Sequence, residues 1–503
     1  MIECRPYQHD IIAEFHHTVA AGQRRIILAA PTGSGKTVIG ASIINDLIRA
    51  VNKSVLVLAH RREIITQTCT KLLKARISHG VIQAGVRARP LEPVQVASIQ
   101  TLWTRAMHLG SIDLPPADLL WIDECHHAPA ETYTKIIAAY PNAILLGTTA
   151  TPCRGDGRGL GEIFDILIET PQVAELIKQG YLVGTKVYAP IDVDPILRGV
   201  RTVAGDYVES QLAERMDQAK LVGDIVEHWH KFGERRKTVC FASGVQHSLH
   251  IAEEFIKSGV RAEHIDGDTS KAERDATLAR LGSGEIDIVS NCMVLTEGWD
   301  MPAIGCCILA RPTKKIGLYR QMVGRVLRPD DGKPNAIVLD HSGATYRHGF
   351  VEDTVTWTLD PDRHAESPTH KKRGERGSRL VECKSCGVVQ RIAGEPCWYC
   401  GYLPQRPPRA VETVDGELGL VGRDRHAHGK TYDPAEREQW HAMFIYIARE
   451  RGYKPGWASH KYKDKFDTWP PWVAPQPIPP SPEVRSWVRS RDIAYAKRRR
   501  VAS

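Results

Sequence analysis

Short apolar runs recur along the first two thirds of the chain, separated by longer amphipathic stretches. Ile26-Ile27-Leu28-Ala29, Val55-Leu56-Val57-Leu58, Leu119-Leu120-Trp121-Ile122 and Ala143-Ile144-Leu145-Leu146 are each four residues long and apolar at every position. A strand apolar on both faces belongs to a parallel sheet covered by helices on both sides. The texture returns at Thr238-Val239-Cys240-Phe241, Ile286-Asp287-Ile288-Val289, Gly305 to Leu309 and Ala336 to Leu339. Two α/β lobes are therefore predicted, at residues 1–185 and 219–348, joined by a partly helical linker at 186–218.

Beyond residue 349 the pattern changes. Arg363 to Arg379 is polar, basic and glycine-containing, and 349–379 reads as a flexible linker. A cysteine-rich module is expected at 380–403, followed by a helical and irregular basic region at 404–503. Within that region Trp440, Phe444 and Ile447 share one face of a predicted helix, Pro434 to Arg449. Trp469 to Pro482 is proline-rich and reads as extended. The last twenty residues carry Arg485, Arg489, Arg491, Lys497, Arg498, Arg499 and Arg500 against the single acid Asp492.

Composition changes this picture only slightly. At 503 residues, with 42% hydrophobic and 25% charged positions, the chain suits two or three globular domains with appendages. No apolar run is long enough to span a bilayer and no basic start leads into one, so a cytoplasmic location, in a bacterium or a phage-infected host, is expected. The net charge of +8 suits a polyanionic partner.

Candidate chemistry begins at Ala30-Pro31-Thr32-Gly33-Ser34-Gly35-Lys36-Thr37, between a predicted strand and a predicted helix. The glycines allow backbone N–H groups to cradle phosphates at a helix N-terminus. Lys36 can reach the β- and γ-phosphates of ATP, and the Thr37 hydroxyl can bind Mg²⁺. Asp123-Glu124-Cys125-His126 follows the strand Leu119 to Ile122. Carboxylates at a strand's C-terminal end face the crevice where open α/β sheets bind ligands. Asp123 would hold Mg²⁺ through water, and Glu124 would orient and deprotonate the attacking water.

These motifs resemble motifs I and II of superfamily 2 helicases of the DEAD/DEAH-like kind, and the rest of the series stands in order over residues 1 to 345. Arg5-Pro6-Tyr7-Gln8 resembles the adenine-reading Q motif. Ala59-His60-Arg61 and Ala97-Ser98-Ile99-Gln100-Thr101 resemble motifs Ia and Ib, and Thr148-Thr149-Ala150-Thr151-Pro152 resembles motif III. Phe241-Ala242-Ser243 is similar to motif IV, Thr296-Glu297-Gly298-Trp299-Asp300 to motif V, and Gln321 through Arg328 to motif VI.

The resemblance implies two tandem RecA-like lobes that hydrolyse ATP between them. It implies a nucleotide site of Arg5, Gln8, Thr32, Gly33, Ser34, Gly35, Lys36, Thr37, Gly298 and Asp300, with Lys36, Asp123, Glu124, Arg325 and Arg328 catalytic. Arg325 and Arg328, read as one helical turn apart, would both point across the cleft as arginine fingers. The implied nucleic-acid track is His60, Arg61, Ser98, Gln100 and Thr101 in the first lobe and Gly244, Thr269 and Thr296 in the second. Hydroxyls and amides of this kind grip phosphate without reading sequence. His126, Thr149, Thr151 and Gln321 are the implied coupling residues.

Of the twelve cysteines, eight are scattered and several lie inside apolar runs. Cys383-x₂-Cys386-Gly387 and Cys397-x₂-Cys400-Gly401 instead have the spacing of a Cys₄ zinc ribbon with a structural role. Whether the ribbon meets nucleic acid or protein stays open. The aromatics Trp457, Tyr462, Phe466, Trp469 and Trp472, interleaved with Lys454, Lys461, Lys463 and Lys465, either stack on bases or form a small hydrophobic cluster.

With its Arg5-Pro6-Tyr7-Gln8 start, its Asp123-Glu124-Cys125-His126 box, the stretch from Leu309 to Leu327 and a cysteine-rich module beyond the second lobe, the chain resembles RadD-like bacterial helicases, and its tail resembles helicases of phages and prophages. Its single ribbon departs from their more extensive cysteine region. The expected activity is an ATP-dependent helicase or translocase acting on DNA rather than RNA, with a repair, replication or phage protein as partner. The alternative is a duplex translocase or remodelling scaffold that separates no strands.

Overall fold

Seven short strands build the first lobe: β1 (Arg25–Ala29), β2 (Val55–Ala59), β3 (Gly80–Ile82), β4 (Val94–Ser98), β5 (Leu119–Asp123), β6 (Ile144–Thr149) and β7 (Ile166–Glu169). They form one sheet in the order β3-β4-β2-β5-β6-β1-β7, and every pairing is parallel. These positions come from a computed structural model that describes residues 3–51, 53–189, 197–203, 205–364, 380–391, 396–403, 432–454 and 456–501. Alternate residues of each strand enter different cores. Ile26, Leu28, Val55 and Val57 pack on one face with Phe15 and Ile43, while Ile27, Leu56 and Leu58 pack on the other with Ile136 and Phe164. Continuous apolar runs are thus explained by two covered faces. The strands that the pattern did not mark include β3 and β7, short edge strands with half-buried positions.

The second lobe opens with β8 (Thr185–Tyr188). A hairpin of β9 (Thr202–Val203) and β10 (Asp206–Tyr207) follows, then β11 (Thr238–Ala242), β12 (Ala262–Ile265), β13 (Ile288–Asn291), β14 (Cys306–Ala310) and β15 (Ala336–Asp340). The six-stranded sheet runs β12-β13-β11-β14-β15-β8. Val239 and Phe241 enter one core and Cys240 and Ala242 the other. β8 corrects the expected boundary: Thr185 to Tyr188 pair in parallel with Ala336 to Leu339, so the start of the predicted linker is an edge strand of the second lobe. Its four residues mix polar and apolar side chains, as suits an edge, and resembled no continuous run.

The predicted flexible linker at 349–379 is also corrected in its first half. Val355 N donates to Gln172 Oε1 at 2.9 Å and Gln172 Nε2 to Val355 O at 3.0 Å. Gly161 N and Gly159 N donate to Leu359 O and Asp360 O, at 2.6 and 3.1 Å. Arg158 and His364 form an antiparallel bridge. The segment after the second lobe therefore lies as a strap on the first. A Cβ at Gly159 would stand 2.3 Å from the Leu359 carbonyl carbon, so only glycine admits this approach. Residues 365–379 lie outside the described residues.

Next come β16 (Leu380–Glu382) and β17 (Val389–Arg391), an antiparallel hairpin that carries the first cysteine pair. Tyr399 of the second pair accepts a hydrogen bond from Lys186 Nζ of β8 at 2.8 Å.

The chain divides into two compact units, Met1–Pro407 and Pro408–Ser503. The second holds helices Pro434–Glu450, Trp457–Phe466 and Pro482–Val501. The first of these starts with a reciprocal cap between Asp433 and Glu436. Trp440, Phe444, Ile447, Tyr462, Val484 and Val488 form its core, with Trp457, Phe466 and Trp487 packed on them. Among the described residues no helix is long and apolar enough to cross a membrane.

Candidate nucleotide site and interlobe network

The loop after β1 turns back on itself before the helix Lys36–Val51 begins. Gly33 and Gly35 have φ of 88° and 86°, the left-handed region that favours glycine. Ser34 is fully buried, and its carbonyl accepts from Gln8 Nε2 at 2.9 Å and from the Tyr7 hydroxyl. Gln8 Oε1 in turn accepts from Arg5 N at 2.9 Å. The expected adenine reader Gln8 is thus also the brace of the phosphate loop. A Cβ on Gly35 would meet its amide nitrogen at 2.5 Å.

Asp123 ends β5, where Thr148 Oγ1 of the neighbouring β6 donates to its Oδ1 at 2.8 Å. Glu124 follows with φ 54°, a backbone turn that costs a non-glycine residue about 1–2 kcal/mol. Lys36 Nζ lies 3.5 Å from Glu124 Oε1. Burial, and then the charge of Glu124, push the Asp123 carboxyl up to about 6. Burial also acts to raise Glu124, but Lys36 and His126 outweigh it and hold that carboxyl down at about 2. Lys36 and His126 both serve Glu124, and a divalent cation beside Asp123 and Thr37 would offset the Asp123 charge.

Both lobes line a cavity of about 540 Å³ around this loop. Arg5, Gln8, Thr32, Gly33, Gly35, Lys36, Thr37, Asp123, Glu124, Gly298, Asp300, Arg325 and Arg328 reach it, and Ser34 does not. The expected helical spacing of the two arginines is corrected. The helix Ile316–Gly324 ends before both, with Arg325 as its C-cap. They share the cavity nonetheless. Arg325 donates to the carbonyls of Thr296 and Trp299 at 2.6–3.0 Å, and Arg328 Nη1 lies 2.5 Å from Asp300 Oδ2. The lobes meet closely here, since a Cβ on Gly324 would stand 2.7 Å from Thr32 Cβ.

Glu297 is the residue that sequence reasoning passed over. Buried at 7% exposure, it projects from the second lobe into a ring of first-lobe cations and imidazoles. His60 Nε2 is 3.0 Å away, Arg61 Nε 3.3 Å, His126 Nε2 3.5 Å and His127 Nε2 3.6 Å. Burial acts to raise its carboxyl, but the imidazoles of His126, His127 and His60 around it, His60 by a hydrogen bond, hold it well below the usual carboxylate range. The His126 ring also reaches Glu124 Oε2 at 3.5 Å and Thr149 Oγ1 at 3.1 Å. Burial acts to lower His126, yet Glu124 and Glu297 on its two sides raise it to about 9. Nothing in the sequence around Glu297 marks it for this role, because every one of these partners lies in the other lobe.

This placement bears on the expected track. His60 and Arg61 turn to Glu297 rather than outward, and Thr296 is 2% exposed with its hydroxyl donating to Met293 O, so its side chain is not presented to a strand. Its burial beneath Arg325 is the reason. Ser98 Oγ is hydrogen-bonded to exposed Gln100, Thr101 is half-buried beside it, and Thr269 is held by Asp266. Gly244 precedes the helix Val245–Lys257. On the other side of His126 lies a second cavity of about 930 Å³ between the lobes, lined by Thr151, Gln321, Arg154, Lys314, Lys315 and Arg363 among others. Thr151 N donates to Thr149 Oγ1 at 3.1 Å, which links Thr151 to His126 through Thr149, and His126, Thr151 and Gln321 all line this second cavity.

The four cysteines come together as expected, with all four sulfurs within 4.8 Å of one another. Cys383 Sγ lies 3.7 Å from Cys400 Sγ and Cys386 Sγ 3.8 Å from Cys397 Sγ. Gly387 N and Gly401 N donate to Cys383 O and Cys397 O, both at 2.8 Å, closing two equivalent knuckles. Of the scattered cysteines, Cys125, Cys153, Cys240, Cys306 and Cys307 are buried.

Comparison with known proteins follows the same division. Residues 1–154 match the family model of the type III restriction enzyme, res subunit, and residues 218–330 that of the helicase conserved C-terminal domain. A 51.5 kDa protein of Lactococcus phage (isolate 7-9) is 30% identical over 400 residues, which cover 79% of this chain and 83% of that one. A Saccharomyces cerevisiae protein named as the ATP-dependent helicase IRC3 is 31% identical over 68% of this chain. This chain spans 52% of that relative's length. Among solved structures, a fragment of an HsdR subunit of a type I restriction enzyme from Vibrio vulnificus YJ016 has TM-score 0.54 at 21% identity. It covers 69% of this chain and 65% of its own, a likeness of fold alone.

Proposed function

The chain belongs to the superfamily 2 DEAD/DEAH-like helicases, which are ATP hydrolases, and from that premise we propose a motor that moves on DNA. One observation carries the reading. Lys36, Asp123 and Glu124 of the first lobe and Arg325 and Arg328 of the second line one cavity. Lys36 neutralises charge on the phosphates, and Glu124, held ionised, accepts a proton from the attacking water. Arg325 and Arg328 bring positive charge from the second lobe, so hydrolysis depends on where that lobe stands. Mg²⁺ bound by Thr37 and Asp123 would add its charge at the phosphates.

Nucleic acid lies on the opposite side of His126. Ser98, Gln100, Thr101, Gly244 and Thr269 serve the backbone, and Arg154, Lys314 and Lys315 join them from the second cavity. DNA is favoured because the family model matching the first lobe is that of a restriction-enzyme subunit. A ribbon-bound Zn²⁺ fits the cysteine geometry: bonds of about 2.3 Å in a tetrahedron give sulfur separations of about 3.8 Å. Cys383, Cys386, Cys397 and Cys400 would fill all four positions, so the ion would be structural and would fix the knuckle whose Tyr399 accepts from Lys186.

The test is ATP hydrolysis by the purified protein with no polymer, single-stranded DNA, duplex DNA or RNA, beside Lys36→Ala. Stimulation by DNA that vanishes in the variant is the expected result. Hydrolysis that no polymer alters would overturn the motor reading. Strand-displacement and translocation assays then separate helicase from duplex translocase.

A further inference from the structure

The C-terminal unit resolves the choice left open by its aromatic residues, and it does so differently for different rings. Tyr462 is 5% exposed, and Trp457 and Phe466 pack against the core of that unit. These three are structural. Trp469 and Trp472 are 55% and 104% exposed, and Val473 beside them is 84% exposed. Isolated surface apolar residues need no explanation, but two open indoles and a valine within five residues form a patch. Pro470 and Pro471 stand between the tryptophans and fix their own backbone torsions, so the pair is displayed on a stiff segment. Preformed display lowers the entropy lost on binding.

The surroundings of this patch are cationic. Lys463 Nζ lies 4.6 Å above the Trp469 ring, and the His460 ring packs edge-on to it at 5.2 Å. Lys454, Arg485, Arg489 and Arg491 are exposed on the same unit. Residues 432–503 hold fourteen Lys or Arg against eight Asp or Glu, so most of the chain's excess positive charge resides in this unit. Aromatic faces beside lysines match what an unpaired polynucleotide offers, flat bases on an anionic backbone. A duplex hides its base faces, and a basic rim does not select an apolar protein surface.

We propose that Trp469 and Trp472, with Lys463, form an auxiliary binding site for single-stranded nucleic acid, separate from the ATP-driven track. The site rests on the motor reading for its biological sense, but its chemistry is independent of the lobes. Bases stack on the two indoles while Lys463 and the exposed arginines meet phosphates. The site therefore holds a strand in every nucleotide state of the motor.

The test uses the full chain without nucleotide and a fluorescent oligothymidylate, read by anisotropy and by intrinsic tryptophan quenching. Trp469→Ala/Trp472→Ala should weaken binding by at least about fivefold for each ring, since base–aromatic stacking contributes about 1–3 kcal/mol. An abasic oligonucleotide of equal length should bind the unaltered protein as weakly as the oligothymidylate binds the double variant. Hydrolysis without polymer should be unchanged, because the residues assigned to ATP all belong to the two lobes. Equal affinity of variant and unaltered protein for the oligothymidylate would overturn the site and reassign the patch to a protein partner. Polymer-stimulated hydrolysis in the same samples separates the two ideas. Its persistence with unchanged affinity sinks only this site, whereas its absence in the unaltered protein sinks the motor reading.

Discussion

Glu124 and Glu297, one from each lobe, are held by the two nitrogens of a single imidazole, His126 Nδ1 and Nε2, each at 3.5 Å. The side chain assigned to activate water is therefore linked through one ring to a carboxylate that moves with the other lobe. His60 and Arg61 extend the chain of contacts toward the first lobe's surface.

Glu297→Gln should leave ATP binding nearly intact but cut polymer-stimulated hydrolysis at least about tenfold, because four groups lose the charge that collects them. Removing one partner of a buried charged cluster typically costs about 3–5 kcal/mol where the remainder cannot be resolvated. Separate measurement of kcat and KM for ATP decides the matter. A rise in KM with unchanged kcat would place Glu297 in nucleotide binding instead.

The pH dependence follows from His126. Its folded value is raised from 6.5 to about 9, so the stabilisation from its charge is complete below about pH 6.5 and is lost as pH rises through 9. The difference in thermal midpoint between the native protein and His126→Gln should accordingly hold steady near pH 6 and shrink toward pH 10. A gap that widens with pH would contradict the charged imidazole.

Glu124→Gln keeps the size of the side chain and removes the base. Hydrolysis should fall by about 10²–10⁴, with nucleotide affinity maintained, as measured by single-turnover kinetics and by binding of a fluorescent ATP analogue. Arg328→Ala should lower the rate by up to about 10³–10⁵. It also frees Asp300, its ion-pair partner in this structure.

Gly159→Val sets a side chain against the Leu359 main chain, where a Cβ alone would come within 2.3 Å. The strap must lift or the loop must shift, and a loss of about 1–3 kcal/mol is expected. Chemical denaturation reads the change, and protease cleavage within 349–364 should accelerate in parallel.

Zinc content offers a further check. One ion per chain is expected, and Cys397→Ser should abolish it and loosen the ribbon, since a core this small depends on its metal. Basal hydrolysis by the lobes should survive. Retention of a full equivalent of zinc in the variant would place the ion elsewhere.

How much of this could be read from sequence depends on the kind of contact. The strand cores were legible because burial on two faces leaves an uninterrupted apolar run, as at Val55 to Leu58. The nucleotide loop was legible because glycine, lysine and threonine spacing is dictated by phosphate. β8 was not, since an edge strand needs only half of its residues apolar. Glu297 was hidden for a different reason. Its partners His60 and His126 stand more than 150 residues away in the chain, and only the meeting of the lobes makes a buried acid affordable. Trp469 and Trp457 look alike in sequence, and only packing separates the exposed ring from the core one.

The strap at 355–364 also changes how the lobes find each other. The chain joins them twice, once before the second lobe and once after it, where Val355 and Leu359 are already seated on the first. A doubly tethered pair re-encounters itself at a high effective concentration, in the millimolar range for short tethers. Any separation of the lobes would then be a short excursion on a leash rather than a search, bounded by how far that strap can peel.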